Sequence, residues 1–198
     1  MPNHVTNRIT IYADDNRIQE ILESIKSDEV GLGSIDFEKI ISPPEDIYRG
    51  NVGLEEQRKY GNNTMLSFGY ENWDTKWNAY GYDHFFPYEG GNTIEFLTAW
   101  SRPEPVIIKL SQMFPDVQFH HAWADEDIGS NVGEILYQNG EELEYNVPAQ
   151  HTKEAYEMAS EIHDLELSEF GLFYDEKSGS YKYGEQEETE EMGGMSLQ

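Results

Sequence analysis

The chain has 198 residues, 37% of them apolar, and sets 13 Lys and Arg against 39 Asp and Glu, a formal net charge of −26 at pH 7. That length is enough for one compact domain with a core, and the absence of cysteine removes disulfides, thiolate chemistry and cysteine-ligated zinc. Seven acids and two lysines lie between Asp175 and Gln198, net −5, which leaves −21 on Met1 to Tyr174; a body of that sign repels phosphate backbones and anionic membranes and attracts basic surfaces.

The opening Met-Pro-Asn-His-Val has no apolar segment and no later window reaches bilayer-spanning length, so a cytoplasmic protein is expected. Val5, Asn7, Ile9 and Ile11 alternate with Thr6, Arg8, Thr10 and Tyr12, the pattern of a strand. Asp14-Asp15 offers an N-cap to a helix whose apolar stripe is Ile18, Ile21, Leu22 and Ile25. Ile35 to Ile41 reads as a second strand, halted by Pro43-Pro44. Leu54 to Tyr60 follows as a short polar helix, and Asn62-Asn63 as a turn.

Asn72 to Tyr80 holds two of the four tryptophans. With period two, Trp73, Thr75, Trp77 and Ala79 share a face; as a helix, the two indoles would share one at i and i+4. Gly69, Gly81 and Pro87 nearby favour a strand or strand-edge loop over a helix. Either way the indoles lie side by side, each ring N–H requiring a partner. The aromatic run Tyr82-Asp83-His84-Phe85-Phe86-Pro87-Tyr88 then ends in a turn at Glu89 to Asn92.

The second half repeats the opening rhythm. Thr93 to Trp100 is a strand, Ser101 and Pro103 start a helix with Val106, Ile107, Leu110 and Met113 at core spacing, and Val117 to Trp123 is another strand. Val132 to Tyr137 and Glu142 to Val147 flank Asn139-Gly140, a hairpin signal, and Thr152 to Leu165 reads as a helix. This order predicts an α+β fold, a ferredoxin-like sheet of split βαβ units with a middle aromatic-rich insertion at about 45–92 and an added C-terminal hairpin and helix. One domain over 1–174 and a disordered acidic tail over 175–198 are expected.

Val5-Thr6-Asn7-Arg8, Asn72 to Ala79, Thr98-Ala99-Trp100-Ser101 with Pro103 and Pro105, and Ala124-Asp125-Glu126-Asp127 with Gly129, Asn131 and Gly133 stand in an order that resembles the phage- and plasmid-encoded family with the YubB ferredoxin-like domain. The resemblance spans roughly Met1 to Val147. It implies the fold and a mobile-element origin, and brings no established activity and no catalytic residue. That family has glycine where this chain has Asp74; aspartate tolerates a left-handed backbone, so a turn there competes with the continuous strand.

Two sets of side chains are candidate sites. Trp73, Trp77, Tyr82, Tyr88 and Trp100, with Asn72, Lys76 and Asn78 as polar contacts, could line a pocket for a flat ligand or partner, or could be core. Asp125, Glu126 and Asp127, close to His120 and His121, offer ligands to a divalent cation, although adjacent histidines in a strand face opposite ways and a solvated acidic loop is the simpler reading. Motifs for nucleophilic catalysis and for phosphate-cradling loops are absent, as is the RNA-binding aromatic signature, and no cofactor is implied. The expectation is a non-enzymatic acidic interaction protein of a mobile genetic element that binds or inhibits a basic host protein, with no direct contact to nucleic acid or membrane. The alternative is a small-molecule or nucleotide-binding protein or enzyme with an aromatic-lined pocket near Trp73 and Trp77. An exposed sheet edge or the aromatic loop could pair two copies, and the charge would resist it.

Overall fold

The computed structural model describes residues 2–82 and 87–184. Residues 83–86 of the aromatic run and 185–198 of the expected tail lie outside the described residues.

In chain order the elements are β1 (His4–Tyr12), α1 (Asp15–Ile25), α2 (Phe37–Ile40), α3 (Leu54–Tyr60), α4 (Met65–Asn72), β2 (Thr93–Ala99), α5 (Glu104–Met113), β3 (Gln118–Asp125), β4 (Val132–Gln138), β5 (Glu141–Asn146) and α6 (Lys153–His163). A 3₁₀ turn (Leu167–Phe170) and the strands β6 (Leu172–Asp175) and β7 (Ser180–Tyr183) complete the chain. Five strands form one antiparallel sheet in the order β2-β1-β3-β4-β5. The alternation in β1 works as expected: Val5, Asn7, Ile9 and Ile11 point into the main core. Asp14 caps α1 by accepting from the Arg17 N–H at 3.1 Å, and its stripe Ile18, Ile21, Leu22 and Ile25 closes over that face.

β2, α5 and β3 make the expected split βαβ unit, with β1 threaded between the two parallel strands, and the ferredoxin-like α+β arrangement rests on it. In α5 the inward side is Val106, Ile107, Leu110 and Ser111, while Met113 is exposed. The second split unit does not form. Ile35 to Ile41, expected as a strand, is instead the helical turn α2, because Phe37 and Ile40 are three apart as well as alternating with polar neighbours, and Asp36 accepts from the Glu38 N–H at 3.0 Å as its cap. The outer edge of β2 receives a single bridge in its place: Tyr80 N–H donates to Leu97 O at 3.1 Å and Leu97 N–H to Tyr80 O at 2.7 Å.

β4 and β5 form the expected hairpin, with Asn139 at φ 50° and Gly140 at φ 80° supplying the two left-handed turn positions. On the opposite face of the sheet, α6 packs Ala155, Tyr156, Ala159 and Ile162 onto Ala122, Ala124 and Val132. β6 and β7 add a small hairpin beside α6, so residues 175–183, expected within the disordered tail, are strand and turn. The reason is local and aromatic: Tyr181 sets its ring against Tyr156 and Tyr174, and Asp175 accepts from both the N–H and the hydroxyl of Ser178 to close the turn. Among the described residues no helix is long and apolar enough to cross a membrane.

Candidate functional site

The tryptophan segment leaves α4 rather than entering a strand. Trp73 is the helix C-cap and Asp74 adopts φ 58°, the left-handed turn that the glycine-for-aspartate position suggested, so the period-two alternation is broken after one residue. The turn folds back onto α4 at Gly69, where a Cβ would lie 2.8 Å from Thr75 O. Thr75 is buried and donates its hydroxyl to Trp77 O, and Ser101 donates to Asp74 O. Burial, and next the Glu104 carboxylate, raise the Asp74 carboxyl above its ordinary value.

This turn separates the two indoles. Trp73 is fully buried, edge-on to Phe37 at 5.7 Å and to Phe68 at 5.4 Å, and its ring N–H donates to Ile41 O at 3.1 Å. It is core. Trp77 is 40% exposed, flanked by Tyr80 at 6.2 Å, with the Lys76 ammonium 4.7 Å from its ring centroid. Asn72 turns back onto its own helix, donating to Phe68 O at 3.0 Å. Asn78 is a structural joint: its carbonyl accepts from Phe37 N–H and Ala79 N–H, both at 2.9 Å, and its amide donates to Asp36 at 2.7 Å.

Two hollows meet at Asn78. One, of about 460 Å³, is lined by Arg49, Met65, Trp73, Lys76 and Trp77. Arg49 is committed there to Glu38 by two hydrogen bonds of 2.7 and 2.8 Å, whereas Lys76 makes no ion pair among the described residues. The other hollow, of about 650 Å³, is lined by Asp28, Glu29, Asp36, Glu38, Tyr80 and Tyr82. The Tyr82 hydroxyl donates to Ile35 O at 2.9 Å and accepts from Ile35 N–H at 3.1 Å, and burial raises its phenol well above the ordinary range. Tyr88 leans its ring over Gly33 and donates to Gly91 O at 2.7 Å. Trp100, at φ 75° and 47% exposed, lines neither hollow. The structure thus gathers Trp73, Lys76, Trp77 and Asn78 around one hollow, places Tyr82 on the next, and separates Tyr88 and Trp100 from both.

The acidic set after β3 does not converge as a metal centre, and no group of three or more His, Asp and Glu among the described residues could hold an ion. Asp125 is buried, its carboxylate accepting from Asn3 at 3.1 Å, from Asp127 N–H at 2.9 Å and from Asn131 at 3.2 Å. Those three donors occupy the oxygens a cation would need, and they tie the β3–β4 connection to the N-terminus. Glu126 and Asp127 face solvent. The histidines split as a strand requires: His120 meets Glu134 at 3.1 Å, and His121 lies in the core.

His121 belongs to a polar chain that the sequence pattern hinted at only through Asn7, the one amide among the inward positions of β1. Asn7 donates to Val5 O and to the Thr98 hydroxyl, both at 2.9 Å, and Thr98 donates to Ser101 O at 2.7 Å. The Asn7 carbonyl must therefore be the acceptor at 3.0 Å from His121 Nε2, which carries the ring proton. Burial, then Arg102 and His120, push the His121 imidazole down to about 3 from 6.5, so it is neutral.

The surface charge is also organised. Among the described residues, eight of the 13 Lys and Arg side chains pair with carboxylates, including Arg8 with Glu95, Arg17 with Glu20 and Asp116, and Lys39 with Asp28. Such pairs contribute little stability each at exposed positions, but they withdraw cations from the surface and leave the excess carboxylates uncompensated.

No curated protein and no solved structure matches the chain. Residues 72–166 match the family model described as the ferredoxin-like domain in Api92-like protein, a stretch that runs from the end of α4 through β2, α5, β3, β4 and β5 to just beyond α6 and omits β1, the strand between β2 and β3. Over that stretch the chain carries a ferredoxin-like domain similar to the one in Api92-like proteins, a description that names no role.

Proposed function

We propose that the chain is a non-enzymatic interaction protein of a mobile genetic element, and that its acidic body occupies a basic site on a host protein, such as the nucleic-acid groove of a defence system. The observation that carries this reading is the disposition of charge: −21 on residues 1–174, with seven of the 11 cationic side chains there already paired with carboxylates among the described residues. A field of one sign accelerates encounter with a basic patch and discriminates against polyanions. Immobilised chain is incubated with host lysate at low and at moderate ionic strength and retained proteins are identified by mass. Basic nucleic-acid-binding proteins retained at low salt and released at moderate salt support the reading; recovery of none, or capture indifferent to salt, refutes it.

A second reading has its own observation, the hollow where Lys76 lies on Trp77 with no carboxylate partner among the described residues. An aromatic wall with one free ammonium suits a flat anion such as a nucleotide. A thermal-shift screen of nucleotides separates the readings, since a ligand of the native state raises its melting temperature and Lys76→Gln removes the rise.

A further inference from the structure

The two edges of the sheet are unlike. At the β2 edge Tyr80 bridges Leu97, whereas among the described residues β5 is hydrogen-bonded to β4 alone. All six residues of β5 are exposed, including Leu143 at 46% and Tyr145 at 62%. The β4–β5 hairpin holds Glu134, Glu141, Glu142 and Glu144 and no Lys or Arg between Val132 and Asn146. An open strand edge presents alternate unpaired N–H and C=O groups, and carboxylates on both of its faces choose what can pair with it.

We propose that β5 is a docking edge for an extended basic segment of a protein partner, which adds to the sheet as a sixth strand. This rests on the reading of the chain as an acidic interaction protein and names the surface and the partner conformation. Main-chain bonds to β5 would hold the segment, while lysine or arginine at its alternate positions would face Glu141 and Glu144, which the extra residue Leu143 brings to one face opposite Gln138 and Leu136, and the apolar positions between them would cover Tyr145 on the other face. The same carboxylates disfavour a second copy of this chain, because β5 beside β5 would bring six glutamates onto one seam. The register shift at Leu136/Tyr137, which leaves Leu143 as the extra residue of β5, twists the edge and further disfavours flat self-pairing.

The test uses the full chain labelled with ¹⁵N and two peptides of equal charge and about eight residues, a common strand length. One alternates lysine with valine, the other lysine with proline, which cannot donate to a ladder. The expected result is amide shifts concentrated in 132–146 with the valine peptide, slowed amide exchange in β5, and affinity about tenfold weaker in E141Q/E144Q, the loss of two favourable cross-strand pairs. Equal binding of both peptides with shifts spread over the acidic body overturns the docking edge and leaves the interaction reading standing. Binding of neither at low salt overturns both, and leaves the glutamates of β5 as protection against aggregation. Slowed exchange in β5 that depends on the chain's own concentration overturns the choice of a basic partner over a second copy.

Discussion

The two faces of the sheet are built from different materials. Beneath α1 and α5 the packing is deep and aromatic, with Trp73, Phe37, Phe96, Phe119, Trp123 and Tyr137 filling one continuous cluster. Beneath α6 it is shallow, alanine on β3 against alanine on the helix, and the cover stops short: Tyr12 at the end of β1 is 52% exposed. The contrast follows from β3, whose inward positions on the first face are Phe119, His121 and Trp123 and on the second Ala122 and Ala124. Large rings hold the α1 and α5 layer at a distance, and Gly133 clears space for the Trp123 ring, where a Cβ would stand 2.6 Å from the indole. Small residues let α6 lie close. One face therefore holds most of the apolar area that stabilises the fold, and the other acts as a lightly attached cover.

Deleting a ring from the deep face should have the largest effect. Trp73→Ala removes a fully buried indole and the donor to Ile41 O, and should destabilise by about 3–5 kcal/mol in chemical denaturation; a loss below ~1 kcal/mol would mean that the tryptophan segment is cover and not core. On the shallow face, overpacking should matter more than deletion. Ala159→Leu forces α6 away from the sheet and should cost about 1–3 kcal/mol, with hydrogen exchange rising first in α6 and the β6–β7 hairpin. If β1 loosens together with α6, the two faces are not energetically distinct.

The smallest effect concerns the polar chain within the deep face. His121 is neutral in the fold, with its imidazole pushed down to about 3, while the unfolded chain protonates near 6.5. The unfolded state thus binds the proton first, and stability is lost as pH falls below about 6.5, by up to ~1.4 kcal/mol per pH unit, until the folded imidazole itself protonates. His163 is shifted the same way, chiefly by burial, so the comparison must be with a variant. Between pH 6.5 and 5, His121→Gln should lose less stability than the parent chain; parallel curves would show that His121 is not held neutral.

Much of this architecture is legible in the sequence, where hydrophobic period and turn chemistry agree. β1, α1, α5, the β4–β5 hairpin and α6 all follow from stripes bounded by Asp14, Pro103, Asn139-Gly140 and Thr152. Ile35 to Ile41 reads as a strand and folds as a helical turn, because a seven-residue run can satisfy periods of two and of three to four together, and the packing of Phe37 against Trp73 and Phe96 selects the turn. The candidate site was legible only as a set of residue types. Four of its eight aromatic-segment members meet at one hollow, and the acidic triplet divides into a buried hydrogen-bond acceptor and two solvated carboxylates.

What the amino-acid sequence determined by itself is the sign and size of the charge and the strands and helices whose apolar spacing admits one solution, because these depend on composition and on contacts within a few residues. Only the tertiary structure decided that Trp73 is core and Trp77 is surface, that Asp125 is buried and engaged by three donors, and that β5 rather than β2 is the open edge. Each of those depends on one left-handed residue or on a partner strand brought from far along the chain, and local periodicity has no access to either.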